Sequence, residues 1–172
     1  MQKETVPLVV LGGGGHTQEI IYIMKIGPCF SNITLIHGSC DSLSKSLFLQ
    51  EISPKKHTSY SMPRPNNVLE KYSVFQMICS LFSAIMIILR SKSDFLICNG
   101  PGISVPVALA YRLLHPGRPI FYIESMTRVK TLSAAGKIIQ YIASVFIVQS
   151  KELIRNTYPC RRFHSIFKIL PV

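Results

Sequence analysis

Tryptophan is absent from this chain of 172 residues, and acidic residues are scarce: eight stand against 19 lysines and arginines. The formal net charge of +11 favours anionic partners, such as phosphates, anionic lipid surfaces or nucleic acid. The basic residues occur in short groups, and a solvated basic surface explains any one group equally well. Because no recognition motif or cluster of stacking aromatic residues accompanies the charge, we expect no nucleic-acid partner.

Cysteines number only five, and no two of them form a C-x-x-C pair. The odd count and the spacing argue against a disulfide framework and against a zinc site, so we expect no metal ion. Cys79 and Cys98 lie in apolar runs and are predicted to be small core residues. A reducing compartment fits this cysteine usage best.

Membrane-spanning apolar runs are also lacking, and the residues before Pro7 contain no apolar stretch, so we expect neither a signal peptide nor an N-terminal membrane span. The nearly apolar segment Val74–Leu89 has 16 residues, fewer than the ~20 that a spanning helix needs. Either it is a buried core helix, or it lies in the membrane interface between Lys71, Arg90 and Lys92. Apolar residues on all sides of the helix favour the second alternative. The residues predicted to contact the membrane are Phe75, Ile78, Phe82 and Ile85.

Short β-rich runs alternate with longer helical runs, which predicts an α/β fold. Strands are predicted at Pro7–Leu11, Ile33–His37, Phe95–Cys98, Pro119–Ile123, Val145–Val148 and Ile166–Leu170. Helices are predicted at Thr17–Ile26, Asp41–Gln50, Val68–Leu89, Ile103–Leu114, Leu132–Ala143 and Lys151–Asn156. The polar stretch Ser53–Asn67 is predicted to be a loop, with a short strand near Tyr60 as an open alternative. Apolar strands separated by helices indicate one Rossmann-like domain, over residues 1–172, with a parallel sheet covered on both faces.

Three polar, glycine-bearing stretches follow predicted strands. They are Gly12–His16, Asn99–Gly102 and Glu124–Arg128. In parallel α/β sheets, ligands gather at the carboxyl ends of the strands. We therefore expect these loops, which are far apart in the chain, to meet at one edge of the sheet.

The first of these loops has four consecutive glycines, Gly12, Gly13, Gly14 and Gly15, at a predicted strand-to-helix junction. Glycine allows a close backbone approach, and a helix N-terminus offers free N–H groups, so the pair can hold a phosphate. The loop does not match a Walker A motif, because the sixth position from Gly12 is Thr17 where that motif needs glycine. It does not match the dinucleotide-binding fingerprint either, because the third glycine is missing. We therefore expect no nicotinamide or flavin cofactor. A tight turn without a ligand is the alternative.

His16 has three possible roles: to cap the helix, to bind a phosphate or to act as a general base. A second possible binding site for an anion or a sugar consists of Asn99, Gly100 and Gly102. The alternative is that these residues form a turn without a ligand. Glu124 is a candidate for binding sugar hydroxyls or for acting as a base, unless it forms a salt bridge with Arg128. The Arg128 guanidinium can itself bind a phosphate through two hydrogen bonds. Glu19 is expected only to complement the helix dipole.

Four segments together resemble a known family: "GGGGHTQEI", "ICNGPGISVPV", "YIESMTRVKTLSAAGKI" and "FIVQSKEL". They are similar to the family of asparagine-linked glycosylation protein fourteen, the membrane-anchoring subunit of a two-part UDP-N-acetylglucosamine transferase. The resemblance implies a fold like the N-terminal, acceptor-binding lobe of MurG-type glycosyltransferases of the two-lobed GT-B architecture. The chain length agrees, since 172 residues hold only one lobe.

The resemblance also implies a function at the cytosolic face of the endoplasmic reticulum membrane. The complex would add the second N-acetylglucosamine (GlcNAc) from UDP-GlcNAc to dolichyl-diphosphate-GlcNAc. A partner of the asparagine-linked glycosylation protein thirteen type would bind the donor, and this subunit would be inactive alone. The terminal segment "FKILPV" would pack on that partner. The alternatives are a non-catalytic membrane scaffold and a single-domain nucleotide-binding protein.

The resemblance and the chemistry of the loops together assign candidate roles. His16 is the expected base, with Glu124 as a further catalytic candidate. The residues expected to bind the acceptor diphosphate are Gly12, Gly13, Gly14, Gly15, Thr17 and Arg128. The residues expected to line the cleft are Asn99, Gly100, Gly102 and Ser125.

Overall fold

A computed structural model describes residues 4–63, 73–100, 102–155 and 163–165 of the chain. Its strands are β1 (Pro7–Val10), β2 (Asn32–Gly38), β3 (Lys56–Met62), β4 (Phe95–Asn99), β5 (Ile120–Ile123), β6 (Val145–Val148) and β7 (Phe163–Ser165). All pair in parallel and form one sheet in the order β3-β2-β1-β4-β5-β6-β7.

Helices alternate with these strands. They are α1 (Gly15–Ile26), α2 (Ser42–Ile52), α3 (Ser73–Arg90), α4 (Ser104–Leu114), α5 (Ala134–Ile139) and α6 (Lys151–Arg155). The predicted Rossmann-like α/β fold with a parallel sheet is confirmed.

The sheet has a hydrophobic core on each face, because successive strand residues point to opposite sides. In β1, Leu8 and Val10 join the core that includes buried residues of α3, α4 and α5. Val9 belongs to the second core, with buried residues of α1 and α2. The continuous apolar sequence of β1 follows from burial on both faces.

The chain order creates a switch point between β1 and β4. From β1 the chain moves outward to β2 and β3, and it then returns through α3 to β4 on the other side of β1. At such a point the loops after the two neighbouring strands diverge and leave a crevice beyond their carboxyl ends. The glycine loop after β1 and the Asn99 loop after β4 flank this crevice.

Strand β3 occupies seven residues of the polar stretch Ser53–Asn67, which is predicted to be mainly a loop. Its sequence KHTSYSM has exposed residues along most of its length, and Met62 is its one fully buried residue. The strand lies at the edge of the sheet and pairs only with β2 among the described strands. An edge strand needs few apolar residues, and this is why hydrophobicity misses it.

Helix α5 is shorter than the predicted helix Leu132–Ala143. Ser133 caps its N-terminus by accepting a hydrogen bond from the N–H of Gly136 at 2.9 Å. After Ile139 the N–H of Ile142 bonds three residues back, so the chain continues in tight turns instead of α-helix.

Three further predictions differ from the structure or lie beyond it. Cys98 is buried as predicted, but Cys79 is exposed on α3, so its assignment to the core is wrong. The predicted strand Ile166–Leu170 lies outside the described residues, and β7 precedes it. The predicted helix from Val68 begins at Ser73 in the described part, and residues 68–72 lie outside it.

Candidate active site

The glycine loop makes a sharp turn from β1 into α1. Gly14 has a φ of +61°, a conformation that side-chain-bearing residues rarely adopt, and it precedes the first helical residue, Gly15. Both glycines are exposed, and Gly14 offers no side chain to cap the helix. The N-terminus of α1 is therefore open to solvent at the crevice, where it can bind an anion.

The buried part of the loop is held from inside. The Gly12 carbonyl accepts hydrogen bonds from the Thr17 hydroxyl and from the Ser44 hydroxyl, the latter at 3.2 Å. Gly12 and Thr17 are both buried, and Gly13 is partly exposed. Of the residues expected to bind a diphosphate, Thr17 thus directs its hydroxyl to the backbone, whereas Gly14 and Gly15 lie at the surface.

Two loops meet where the His16 imidazole contacts Asn99. His16 Nδ1 lies 2.9 Å from Asn99 Oδ1, and the amide nitrogen of Asn99 donates to Glu19 Oε2 at 2.6 Å. Asn99 is fully buried at the end of β4, while His16 is partly exposed. One ring nitrogen of His16 is thereby fixed inside the protein.

The third loop joins through Glu19. Its Oε1 accepts hydrogen bonds from the Ser125 hydroxyl and from the Met126 backbone N–H, each at 3.0 Å. The three loops that follow β1, β4 and β5 therefore meet through one carboxylate on α1, as the sheet topology predicts.

Glycine at position 100 is required by the approach of His16. A Cβ there would lie 2.2 Å from Cε1 and 2.5 Å from Nδ1 of the His16 ring. Gly100 also has a φ of +56°. The loop after β4 thus brings its backbone close to the imidazole ring, and only glycine leaves room for the ring.

Glu124 lies inside the protein, with no exposed surface, at the end of β5. Its Oε1 accepts from the Ser125 N–H at 3.1 Å, and its Oε2 accepts from the N–H and the hydroxyl of Ser133, each at 3.0 Å. Burial raises the pKa of the carboxyl above its usual value, and the hydrogen bonds from Ser133 and Ser125 oppose that rise. The Arg128 charge makes the smallest of the opposing contributions. The close partners of Glu124 are therefore two serines, and Glu124 forms no salt bridge within the described chain. These hydrogen bonds tie the end of β5 to the start of α5.

Gly136→Ala is expected to destabilise the protein by about 1–3 kcal/mol through overpacking. A Cβ at Gly136 would lie 2.1 Å from Glu124 Oε2 and 3.1 Å from the Ser133 hydroxyl. Chemical unfolding measures the change, with Gly117→Ala as control because a Cβ there meets nothing within 4 Å. A gain in stability, as alanine gives in an open helix, would contradict this packing.

Arg128 is exposed on the loop between β5 and α5, and its backbone N–H closes a turn by donating to the Ser125 carbonyl at 2.9 Å. Gly102 lies at the start of α4, and its carbonyl accepts from the Val105 N–H at 3.2 Å. Arg128 is thus open to solvent, whereas Gly102 belongs to the turn that begins α4.

Residues 7–167 match the family described as "Oligosaccharide biosynthesis protein Alg14 like". The chain belongs to the Alg14 family. A mouse protein named "UDP-N-acetylglucosamine transferase subunit ALG14" is 34% identical over 171 residues, covering 88% of this chain and 78% of the mouse protein. A Candida albicans protein of the same name is 37% identical over 155 residues, covering 84% of this chain and 70% of that protein. The predicted family is confirmed.

The fold of this Alg14-family chain is similar to that of the bacterial protein MurG. The crystal structure of Acinetobacter baumannii MurG aligns with a TM-score of 0.67 and 19% identity, covering 95% of this chain and 45% of the MurG chain. The likeness confirms the predicted GT-B-type, Rossmann-like lobe. The chain thus spans less than half of a MurG polypeptide.

Glu19 belongs to the candidate site of this Alg14-family chain, although the sequence alone does not predict it there. It links all three loops, although its sequence position predicts only a contribution to the helix dipole. One local signal was available: Glu19 follows His16 by three residues, so both side chains lie on the same face of α1.

Neither a membrane-spanning helix nor a metal cluster occurs among the residues that the structure describes. None of the described helices has the length and hydropathy to cross a bilayer. Among the described residues, no three or more side chains of the metal-binding types His, Cys, Asp and Glu lie close enough together to hold a metal ion.

Proposed function

We propose that this Alg14-family chain is the acceptor-binding subunit of a two-part UDP-GlcNAc transferase. The complex adds the second GlcNAc to dolichyl-diphosphate-GlcNAc at the cytosolic face of the endoplasmic reticulum membrane. The names of the relatives support a transferase subunit. The observation that carries the proposal is the convergence of three loops, which Glu19 links to one another and to His16 through Asn99, beside an open helix N-terminus.

The transfer reaction needs a binding site for the acceptor diphosphate and a general base. Gly14 and Gly15 at the start of α1 hold the acceptor diphosphate, and Arg128 supplies a counter-charge. His16 takes the proton from the acceptor hydroxyl as that oxygen bonds to the anomeric carbon of the donor sugar. The bond between that carbon and the UDP oxygen breaks, and UDP leaves with the electron pair. Glu124, which is buried, shapes the loop that carries Ser125 and Arg128.

A second polypeptide supplies the donor site. The chain matches 45% of the length of MurG, which supports one lobe of a two-lobed enzyme. We infer a donor-binding partner of the asparagine-linked glycosylation protein thirteen type, which binds UDP-GlcNAc across the crevice. The segment "FKILPV", expected to pack on that partner, lies outside the described residues.

Reconstitution tests this function. The chain is combined with the donor-binding partner, labelled UDP-GlcNAc and dolichyl-diphosphate-GlcNAc in detergent, and transfer is measured with each protein alone and with both. Transfer only with both proteins, and a raised acceptor KM for Arg128→Ala, are expected. If Arg128→Ala and His16→Ala both keep full turnover and unchanged acceptor affinity, the chain is a non-catalytic membrane scaffold. If this chain alone binds UDP tightly, it is a nucleotide-binding protein.

Helix α3 carries an apolar surface suited to the membrane. Phe75, Ile78 and Phe82 are 74%, 59% and 65% exposed, and their spacing places them on one side of the helix. Ile85, also predicted to touch the membrane, is only partly exposed and packs against the core. The basic residues Arg90 and Lys92 are exposed near the end of the helix, and Lys71 lies outside the described residues.

The apolar surface lies at the same end of the sheet as the active site. The Ser80 hydroxyl donates to the Pro63 carbonyl at 3.1 Å, and Pro63 follows the carboxyl end of β3. Phe75 and Ile78 precede Ser80, so they lie toward the carboxyl edge, where the three loops meet. A lipid acceptor anchored in the bilayer requires this arrangement.

Replacing Phe75, Ile78 and Phe82 with glutamine is expected to reduce binding to anionic lipid vesicles at least about tenfold, because each side chain buries apolar surface in the interface. Vesicle flotation measures the binding. Leu43→Gln is the matched control, since Leu43 is 77% exposed but lies on α2.

The three exposed positions can be changed with little effect on the core, and circular dichroism checks that the fold remains. If the folded triple variant binds vesicles as well as the wild-type chain in the flotation assay, α3 does not bind the membrane interface.

A further inference from the structure

Two hydrogen bonds connect the carboxylate of Glu19 to the imidazole of His16 through the amide of Asn99. Asn99 lies 2.6 Å from Glu19 on its nitrogen side and 2.9 Å from His16 on its oxygen side. Glu19 and His16 lie on α1, 80 and 83 positions before Asn99 at the end of β4. Asn99 is fully buried, so its amide is held between these partners.

The carboxylate decides which way the amide of Asn99 points. An ionised carboxylate only accepts hydrogen bonds, so the amide NH₂ must face Glu19. The amide oxygen then faces His16, and the contact at Nδ1 requires that nitrogen to carry the proton. A neutral imidazole has one protonated nitrogen, and this leaves the lone pair on Nε2.

Glu19 is itself fixed from the other side. Its Oε1 accepts from the Ser125 hydroxyl and the Met126 N–H at 3.0 Å, so neither carboxylate oxygen is left without a donor. Charge-assisted hydrogen bonds of this kind hold an acceptor in one orientation.

We propose that Glu19 is a positioning residue that sets the tautomer of His16 through Asn99. By fixing the proton on Nδ1, it leaves Nε2 to receive the proton of the acceptor hydroxyl. The inference rests on the proposed role of His16 as the base, and it assigns Glu19 a function that its sequence position does not indicate.

Glu19→Gln is the sharpest test because it preserves shape and changes one acceptor into a donor. The Met126 N–H needs an acceptor, so the glutamine oxygen is expected to take the place of Oε1. The glutamine NH₂ then faces Asn99, whose amide must turn over to accept from it. The Asn99 NH₂ now faces His16 Nδ1, and the proton moves to Nε2.

Nitrogen-15 NMR of the histidine side chains measures the tautomer directly in the full chain, at about pH 8.5, where free histidine is neutral. His16→Ala identifies the His16 signals. The wild-type chain is expected to be protonated at Nδ1, and Glu19→Gln is expected to be protonated at Nε2. Glu51→Gln removes an exposed carboxylate on α2 and is expected to leave the His16 signals unchanged. If Glu19→Gln does not fold, Asn99→Ala serves as the second variant. It removes the oxygen that accepts from Nδ1 and is expected to reduce the Nδ1-protonated form of His16.

Transfer by the reconstituted complex gives the second readout. A reversed tautomer with turnover reduced at least about tenfold, while Glu51→Gln remains active, supports the proposal. His16 still protonated at Nδ1 in folded Glu19→Gln overturns it. A reversed tautomer with full turnover also overturns it, provided that His16→Ala is inactive. If His16→Ala keeps full turnover, the base assignment fails, and the NMR comparison still decides whether Glu19 controls the tautomer.

Discussion

His16→Ala is expected to lower the kcat of the reconstituted transferase by about 10²–10⁴-fold, the usual contribution of a positioned general base. His16 is the one histidine among the described residues that is fixed through one ring nitrogen by a loop of the crevice. The acceptor hydroxyl would lose its proton acceptor while the rest of the site remains. Transfer of labelled GlcNAc at saturating acceptor measures the effect.

The split between kcat and KM separates the three roles that the sequence leaves open for His16. A base acts on kcat, whereas a phosphate ligand acts mainly on the acceptor KM. A helix cap affects stability and neither constant. His57→Ala is the matched control, because His57 is exposed on β3. If His16→Ala keeps the wild-type kcat and raises the acceptor KM, His16 is not the general base.

Much of the fold follows from hydrophobicity, because the strands of the sheet centre are buried on both faces. The cores of β1 and β4 are continuous apolar runs, and Thr34 is the one polar residue in the buried run Ile33–Ile36 of β2. At the edge this signal disappears, and β3 is mostly polar. The end of α5 also escapes prediction, since its apolar residues continue beyond Ile139 into turns.

The site was predictable where a residue follows a strand, and unpredictable where its role depends on tertiary contacts. Loop position alone predicts that His16 and Asn99 lie in the crevice, and the two side chains are in contact. The same reasoning pointed Thr17 toward a ligand, but its hydroxyl bonds to Gly12. Glu124 was a catalytic candidate, but two serines enclose its carboxylate. The role of Glu19 depends on residues 80 and 106 positions away, which no local pattern reveals.

Gly100→Ala is expected to reduce turnover by about 10²-fold, although residue 100 contributes no functional group to the reaction. The new Cβ would lie 2.2 Å from the His16 ring, so the ring must move by more than an ångström to reach an ordinary contact distance. That movement breaks the 2.9 Å contact with Asn99. The positive φ of Gly100 adds about 1–2 kcal/mol of backbone strain, which thermal or chemical unfolding measures.

A double-mutant cycle separates the displaced ring from the strained backbone. In a His16→Ala background the ring is absent, so Gly100→Ala should cost little further turnover while the backbone strain persists in the unfolding free energy. Gly117→Ala provides the control for a glycine replaced in open space. If Gly100→Ala remains fully active in the presence of His16, the imidazole works equally well after displacement, and its fixed position beside Asn99 has no part in catalysis.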